Sequence, residues 1–182
     1  MKIKIYLFVT CLFTLTLFGC SKSEEESVAP DTASLLVRKW SFTDISVKTN
    51  AKTYSIPTKS GALFGDDNVI TFNKDNTISY LDGGKTVSGK WKLSNSDKML
   101  SITDADNTTI NMTINSLTST AIDLASANAD ITKTNPTLDE MVVGFVGEYL
   151  LYTLDKDAGG TIDFTKEPEY KTLQILAKGK AL

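Results

Sequence analysis

The sequence predicts a mainly β fold, an antiparallel up-and-down barrel of about eight strands with a C-terminal helix. Three observations support this prediction. Short segments between residues 35 and 127 alternate apolar and polar side chains. Turns rich in Asn, Asp and Gly separate these segments at short, regular intervals. Beyond residue 127 the alternation is replaced by a stretch in which apolar residues recur at helical spacing.

The predicted strands cover residues 36–47, 52–56, 68–72, 77–81, 85–93, 98–103, 108–114 and 117–124. Strands this short favour antiparallel hairpins over parallel crossovers, and closing the meander into a barrel removes its exposed edges. In the first range, Trp40 and Phe42 lie on one face. Ile45 and Val47 have the opposite parity, so we expect a bulge or bend near Asp44.

Several of these segments resemble the lipocalin-like domains that are common in secreted bacterial lipoproteins. The resemblance rests on a tryptophan in the first strand, Trp40, on a Phe-Asn-x-Asp-x-Thr hairpin at 72–77 and on Gly-Lys-Trp at 89–91. It extends to residues 100–102 and 114–124. Lys39 stands where the family usually has glycine before the tryptophan. The resemblance implies a small up-and-down barrel, but it does not identify a ligand, because a fold does not define a function.

Aromatic residues alternate with polar ones along these strands and are expected to face the barrel interior. A small eight-stranded barrel can be filled by its side chains or can hold one small ligand. Core packing therefore explains each aromatic residue on its own, whereas the group as a whole also fits a cavity for a small apolar molecule. The candidate ligand-binding residues are Trp40, Phe42, Phe72, Tyr80 and Trp91.

Residues 128–182 form a predicted C-terminal extension that packs on the barrel formed by residues 35–127. Thr137 and Glu140 have the spacing of a helix capping box. An apolar stripe follows, and it is expected to cover the barrel wall, as the C-terminal helix of lipocalins does: Leu138, Met141, Val142, Phe145, Tyr149 and Tyr152. The last segment, 170–177, fits either a short helix or a final strand.

Residues 155–166 resemble an EF-hand calcium-binding loop. Asp155, Asp157 and Asp163 occupy positions at which such loops supply oxygen ligands. Lys166, however, stands where a bidentate glutamate normally completes the coordination shell. A polar connecting loop is the alternative, and any calcium binding should be weak. We expect no other cofactor.

The N-terminus predicts a lipoprotein signal peptide, residues 1–19. Lys2 and Lys4 precede an apolar run, 5–18, that is shorter than a membrane-spanning helix requires. The run ends in Leu-Phe-Gly before Cys20, which resembles the lipobox of bacterial lipoproteins. Cleavage before Cys20 would change the formal net charge from −3 to −5, because two lysines are lost.

Residues 20–34 are predicted to be a flexible tether, since they contain few apolar groups to bury. Their Ser-Lys-Ser-Glu-Glu-Glu run resembles a surface-export signal of some Gram-negative lipoproteins, and it also fits a plain solvated spacer. We therefore expect a protein of the Gram-negative cell envelope, anchored by lipid to the outer membrane, with surface exposure left open.

The composition argues against several classes of function. The chain has no histidine, and both cysteines, Cys11 and Cys20, precede the folded region, so catalytic triads, Cys-His pairs and His-zinc sites have no residues to form them. The acidic net charge argues against nucleic acid binding. We expect a non-catalytic monomer that binds a small apolar ligand or presents a surface in the envelope. The alternative is a calcium-influenced module that binds a protein or a glycan at the cell surface.

Replacing Cys20 with alanine tests the predicted lipid anchor. Each buried acyl methylene contributes about 0.8 kcal/mol to membrane binding. We therefore expect Cys20→Ala to release the protein from the membrane fraction or to leave it unprocessed. Fatty-acid labelling and membrane fractionation measure this outcome. Unchanged labelling and fractionation of the variant would contradict the prediction.

Overall fold

A computed structural model describes residues 30–57, 63–157 and 169–182, without the side chains of residues 155–157. The helices in these ranges are α1 (Thr32–Leu36) and α2 (Leu138–Asp157). The strands are β1 (Lys39–Thr49), β2 (Thr53–Ile56), β3 (Val69–Phe72), β4 (Thr77–Asp82), β5 (Lys85–Ser94), β6 (Met99–Thr103), β7 (Thr109–Leu117), β8 (Ala121–Ser126), β9 (Ala129–Asp130) and β10 (Thr172–Ala181). Within the described ranges, neither helix combines the length and the apolar composition needed to cross a membrane.

The strands form one antiparallel sheet that closes through the pairing of β1 with β10. The short strand β2 pairs with β1 over residues 45–48, and β3 pairs with the same edge over residues 39–41. β8 and β9 share an edge of β10 in the same way. The circuit therefore has eight strand positions. The predicted antiparallel barrel of eight strands with a C-terminal helix is confirmed.

The strand that closes the barrel comes from the C-terminal segment. The predicted strands end at residue 124, and residues 170–177 fit either a helix or a strand. In the structure most of these residues belong to β10, which lies between β8 and β1. Buried and more exposed residues alternate along it, and Leu173, Ile175 and Ala177 are fully buried. The C-terminal extension therefore supplies part of the barrel wall in addition to the helix that packs on it.

Two of the differences between the predicted and the observed strand bounds have a clear local cause. The first strand begins at Lys39 instead of residue 36, because Asp31 accepts a hydrogen bond from the Ser34 amide and begins helix α1. This helix includes residues 32–34, which the sequence analysis assigns to the tether. The predicted strand 117–124 is interrupted by a turn, in which the Thr118 hydroxyl accepts hydrogen bonds from the amides of Thr120 and Ala121.

The expected bulge in the first strand is confirmed. The register of β1 against β10 shifts between Phe42 and Asp44. One additional residue on β1 returns Ile45 and Val47 to the interior face, and both are fully buried. The parity change in the sequence therefore reflects a bend of the strand, and the strand keeps its buried side.

The floor of the barrel is the end at which β1 begins and β10 ends, and α1 lies against it. The Trp40 side chain is fully buried, and its Nε1 donates to the Leu36 carbonyl at 2.9 Å. Trp91 donates in the same way to the Asn73 carbonyl at 3.0 Å and contacts Phe72 edge-on at 6.0 Å. Both indoles therefore combine apolar burial with a satisfied N–H group. The floor is filled by side chains.

A glycine in the Gly-Lys-Trp segment permits close contact between strands. A Cβ atom on Gly89 would lie 2.1 Å from the Thr103 carbonyl oxygen and 3.0 Å from the Ile78 side chain. Only glycine fits this approach without displacing backbone on the neighbouring strand. This contact explains the glycine of the motif in physical terms.

Replacing Trp40 tests how much the floor stabilises the barrel. We expect Trp40→Ala to lower the free energy of unfolding by about 3–5 kcal/mol, because the substitution leaves a cavity in a packed core. Trp40→Phe keeps most of the apolar contact but loses the bond to Leu36, so its effect should be smaller, about 1–2 kcal/mol. Urea unfolding followed by the fluorescence of Trp91 measures both values. Equal losses in the two variants would show that packing at Trp40 matters little.

Candidate functional site

Helix α2 lies across the opposite end of the barrel, where β1 ends and β10 begins. We call this end the mouth. The helix approaches its neighbours closely at two glycines. A Cβ atom on Gly144 would lie 3.4 Å from Ile131, and one on Gly147 would lie 3.2 Å from Leu173. The side-chain amide of Asn111 in β7 also donates to the Asp139 carboxylate in the first turn of the helix, at 3.1 Å.

The start of α2 is fixed by the predicted capping box, which is confirmed. The Glu140 amide donates to the Thr137 hydroxyl at 3.2 Å, and the Thr137 amide donates to the Glu140 carboxylate at 2.7 Å. Lys133 forms an ion pair with the same carboxylate at 3.0 Å. The bond from the Thr137 amide, together with the Lys133 and Thr137 side chains, lowers the pKa of Glu140 from 4.5 to about 2.

The predicted orientation of α2 is wrong, because the face expected to cover the barrel is turned to solvent. Five of the six stripe residues are between 50% and 74% exposed: Leu138, Met141, Phe145, Tyr149 and Tyr152. The buried face carries Val143, Leu150, Leu151 and Leu154 together with the two glycines. The physical reason is that the aliphatic side chains of this face are buried against the barrel, and that Gly147 permits a close approach to Leu173.

A cavity of about 390 Å³ lies between the mouth and α2. Aliphatic residues of the strands form its wall: Ile70, Ile78, Ile102 and Ile110. Val142, Val146 and Tyr149 line it from the helix, and Leu63 and Phe64 line it from the segment before β3. Polar residues stand at its opening to solvent: Asp66, Tyr80, Asp82, Asp104 and Thr108. The interior of the cavity is therefore apolar and its opening is polar.

The segment 63–66 is held at the opening by its own polar contacts. The buried Asn68 side chain accepts hydrogen bonds from the amides of Leu63, at 2.7 Å, and Phe64, at 3.2 Å. Phe64 packs against Phe42 with ring centroids 4.6 Å apart. Gly65 adopts a φ of 63°, and a Cβ atom there would lie 2.0 Å from the Leu81 carbonyl oxygen. These contacts place the Asp66 carboxylate beside the turn after β4.

Two of the aspartates at the opening are oriented by backbone amides. Asp66 accepts from the Gly83 amide at 3.0 Å and from the Gly84 amide at 2.8 Å. Asp104 accepts from the amides of Asp106, at 2.9 Å, and Thr108, at 2.8 Å. Such bonds hold each carboxylate in one position at the opening.

The Tyr80 hydroxyl lies within the field of these carboxylates. Burial is the main reason that the pKa of Tyr80 is raised. A hydrogen bond with the Ala105 backbone opposes this rise, and the charges of Asp104, Asp82 and Asp106 add smaller increases. These three carboxylates are therefore close enough to the Tyr80 hydroxyl to act on its ionisation.

The candidate ligand-binding aromatics divide between the core and the cavity. Trp40, Phe42, Phe72 and Trp91 belong to the buried core, and Tyr80 lines the cavity. Sequence analysis missed the aspartates at the opening, which it assigned only to turns, and the contribution of α2 and of residues 63–66. A Gly65-Asp66 pair before a strand and a Gly83-Gly84 pair after the next one were the available signals.

The other predicted sites fall outside the described residues. Cys20 precedes them, and Asp163 lies between the described ranges. The backbone of Asp155 and Asp157 belongs to α2, but their side chains are not described. Lipidation and calcium binding therefore stay predictions. Among the described residues, no group of three or more Asp, Glu, His or Cys side chains is arranged to hold a metal ion.

The capping box predicts how stability depends on pH. Because folding lowers the pKa of Glu140, its contribution is complete above about pH 4.5 and is lost as the pH falls toward about 2. We expect Glu140→Gln to be less stable than the wild type at pH 7 and the difference to shrink across this interval. Urea unfolding at successive pH values measures it, with Glu148→Gln on the exposed side of the helix as the control. A difference that is constant down to pH 2 would contradict the assignment.

Comparison with known proteins agrees with this geometry. Comparisons with curated proteins and with solved structures gave no match. Residues 36–124 match the family model of the lipocalin-like domain. The match begins at the last residue of α1 and ends within β8, so it leaves out α2 and the closing strand β10. From β1 to β8, this chain is therefore similar to the lipocalin-like domain family.

Proposed function

We propose that this protein is a non-catalytic binding protein of the cell envelope that takes up a small apolar molecule in the cavity beneath α2. The cavity is the observation that supports this function. Side chains fill the floor of the barrel, yet a space of about 390 Å³ remains at the mouth. Sites for small molecules commonly have volumes of about 300–1,000 Å³ and mostly apolar walls with a few placed polar groups.

The lipid anchor completes the proposal. Acylation at Cys20 would hold the barrel at the outer membrane of a Gram-negative bacterium, and the tether would let it move near the bilayer as a monomer. A binding protein in this location has access to small apolar molecules that partition between the membrane and water. Weak calcium binding by residues 155–166 is a separate part of the proposal, and the proposed ligand site does not depend on it.

The outer face of α2 favours a second function, an interaction module at the cell surface. The five exposed stripe residues form an apolar strip on one helix, and large exposed apolar patches commonly mark interaction sites. A protein or glycan partner would be held on this strip without any use of the cavity. The two functions therefore place their binding surfaces on different sides of the same helix, with Tyr149 at the border between them.

A neutral fluorescent probe, N-phenyl-1-naphthylamine, separates the two surfaces. We expect the probe to bind to the wild-type protein with enhanced fluorescence. Val146→Trp and Ile110→Phe fill the cavity from opposite walls, and each should lower the affinity for the probe at least tenfold, about 1.4 kcal/mol. Phe145→Ser on the outer face of α2 is the matched control and should leave binding unchanged. Circular dichroism and thermal melting confirm that each variant is folded.

The reverse pattern would overturn the cavity proposal. Loss of binding in Phe145→Ser, with retention in both cavity-filling variants, would place the probe on the exposed strip and favour the interaction module. Absence of probe binding to the wild-type protein would also contradict a site for small apolar molecules.

A further inference from the structure

The charges around the cavity all have the same sign. Asp66, Asp82 and Asp104 stand at its opening, and we call these three residues the rim. Among the described residues that line the cavity, none carries a positive charge. The apolar wall defines the site, and the rim determines which polar group a ligand can place at the opening.

Two of the three rim carboxylates are fixed before any ligand arrives. Backbone amides hold Asp66 and Asp104 through two hydrogen bonds each. Asp82 ends β4 close to the same glycine turn, and its side chain is exposed. Because the two amide-held carboxylates need not reorganise on binding, their attraction for a cation is retained in the complex.

The apolar wall strengthens this selection by charge. An ionic head group at the edge of an apolar cavity loses part of its hydration, so it requires a compensating charge close by. An anionic head group would meet three carboxylates at the rim and would be repelled. A neutral head group would gain no ionic attraction. A cation at the rim replaces lost hydration with attraction to fixed carboxylates.

We infer that the ligand of this cavity is an amphiphilic amine, whose apolar part lies beneath Val142 and Val146 and whose ammonium group lies between Asp82 and Asp104. This inference rests on the proposed function of the cavity and specifies its ligand class. The rim is open to water, where individual ion pairs contribute modestly, so the cation should bind about tenfold more tightly than a neutral molecule of the same shape.

Three ligands with the same chain test the inference: decylamine, decanol and decanoate. Each ligand is titrated against N-phenyl-1-naphthylamine bound to the protein. The protein used starts at residue 20, so it contains every described residue, and it carries Cys20→Ala so that no acyl chain competes for the cavity. We expect decylamine, which is protonated at pH 7, to displace the probe at about one tenth of the decanol concentration. Decanoate should require the highest concentration.

Charge-neutralising variants assign the preference to the rim. In the double variant Asp82→Asn with Asp104→Asn, the decylamine concentration needed to displace the probe should rise to that of decanol. The substitution Asp104→Asn keeps an Oδ1 acceptor for both amides of the turn, so the fold is preserved. Asp44→Asn with Asp97→Asn makes the same change in net charge away from the cavity, and this control should keep the preference.

The outcomes distinguish the inference from the proposed function. Displacement by all three ligands at equal concentrations would overturn recognition of a cation and leave the apolar site intact. A preference that survives neutralisation of the rim, or that disappears in the control pair, would also overturn it, because net charge would then be the cause. Absence of probe binding, or failure of all three ligands to displace a bound probe, would overturn the ligand site itself.

Discussion

The antiparallel pairing of β1 with β10 is the constraint on which the rest of the structure depends. It joins residues from the two ends of the described chain through nine residue pairs, from Trp40 with Ala181 to Thr49 with Leu173. Without this pairing the sheet would have two open edges, and α2 would have no closed mouth to cover. Gly179 shows how tightly the seam is packed, because a Cβ atom there would lie 3.2 Å from the Phe42 ring.

Much of this fold is encoded locally and could therefore be predicted. A strand has a period of two, so alternation revealed the buried face of each strand, and a change of parity at Asp44 revealed the bulge. The choice of closing strand is not local. Residues 170–177 fit a helix or a strand on their own, and only their contacts with β1 and β8, far away in sequence, select the strand. The number of barrel strands is predicted correctly, although two predicted segments, β2 and β3, share one position and β10 fills the eighth.

The orientation of α2 could not be obtained from its apolar pattern, because apolar residues occur on both of its sides. Apolar residues at helical spacing occur on two faces of the helix. The face with the larger aromatic side chains is the one predicted to be buried, whereas in the structure it is exposed. A glycine inside a helix lowers its intrinsic propensity, but in the folded protein Gly144 and Gly147 mark the side that lies against the side chains of Ile131 and Leu173. The sequence predicts a cavity among the interior aromatic residues, but its position beneath α2 could not be predicted, since its upper wall belongs to the helix.

The two sides of α2 meet at Tyr149, which lines the cavity while more than half of its surface is exposed. A helix that is apolar on all sides normally lies in a protein interior. Here one side covers the mouth of a barrel and the other is open to solvent, so the helix is only half covered by its own chain. The polar anchors lie at its beginning, where Glu140 holds Thr137 and Lys133 and where Asn111 holds Asp139. Beyond this first turn, apolar contacts with the barrel position the helix, and any ligand that fills the cavity adds to those contacts.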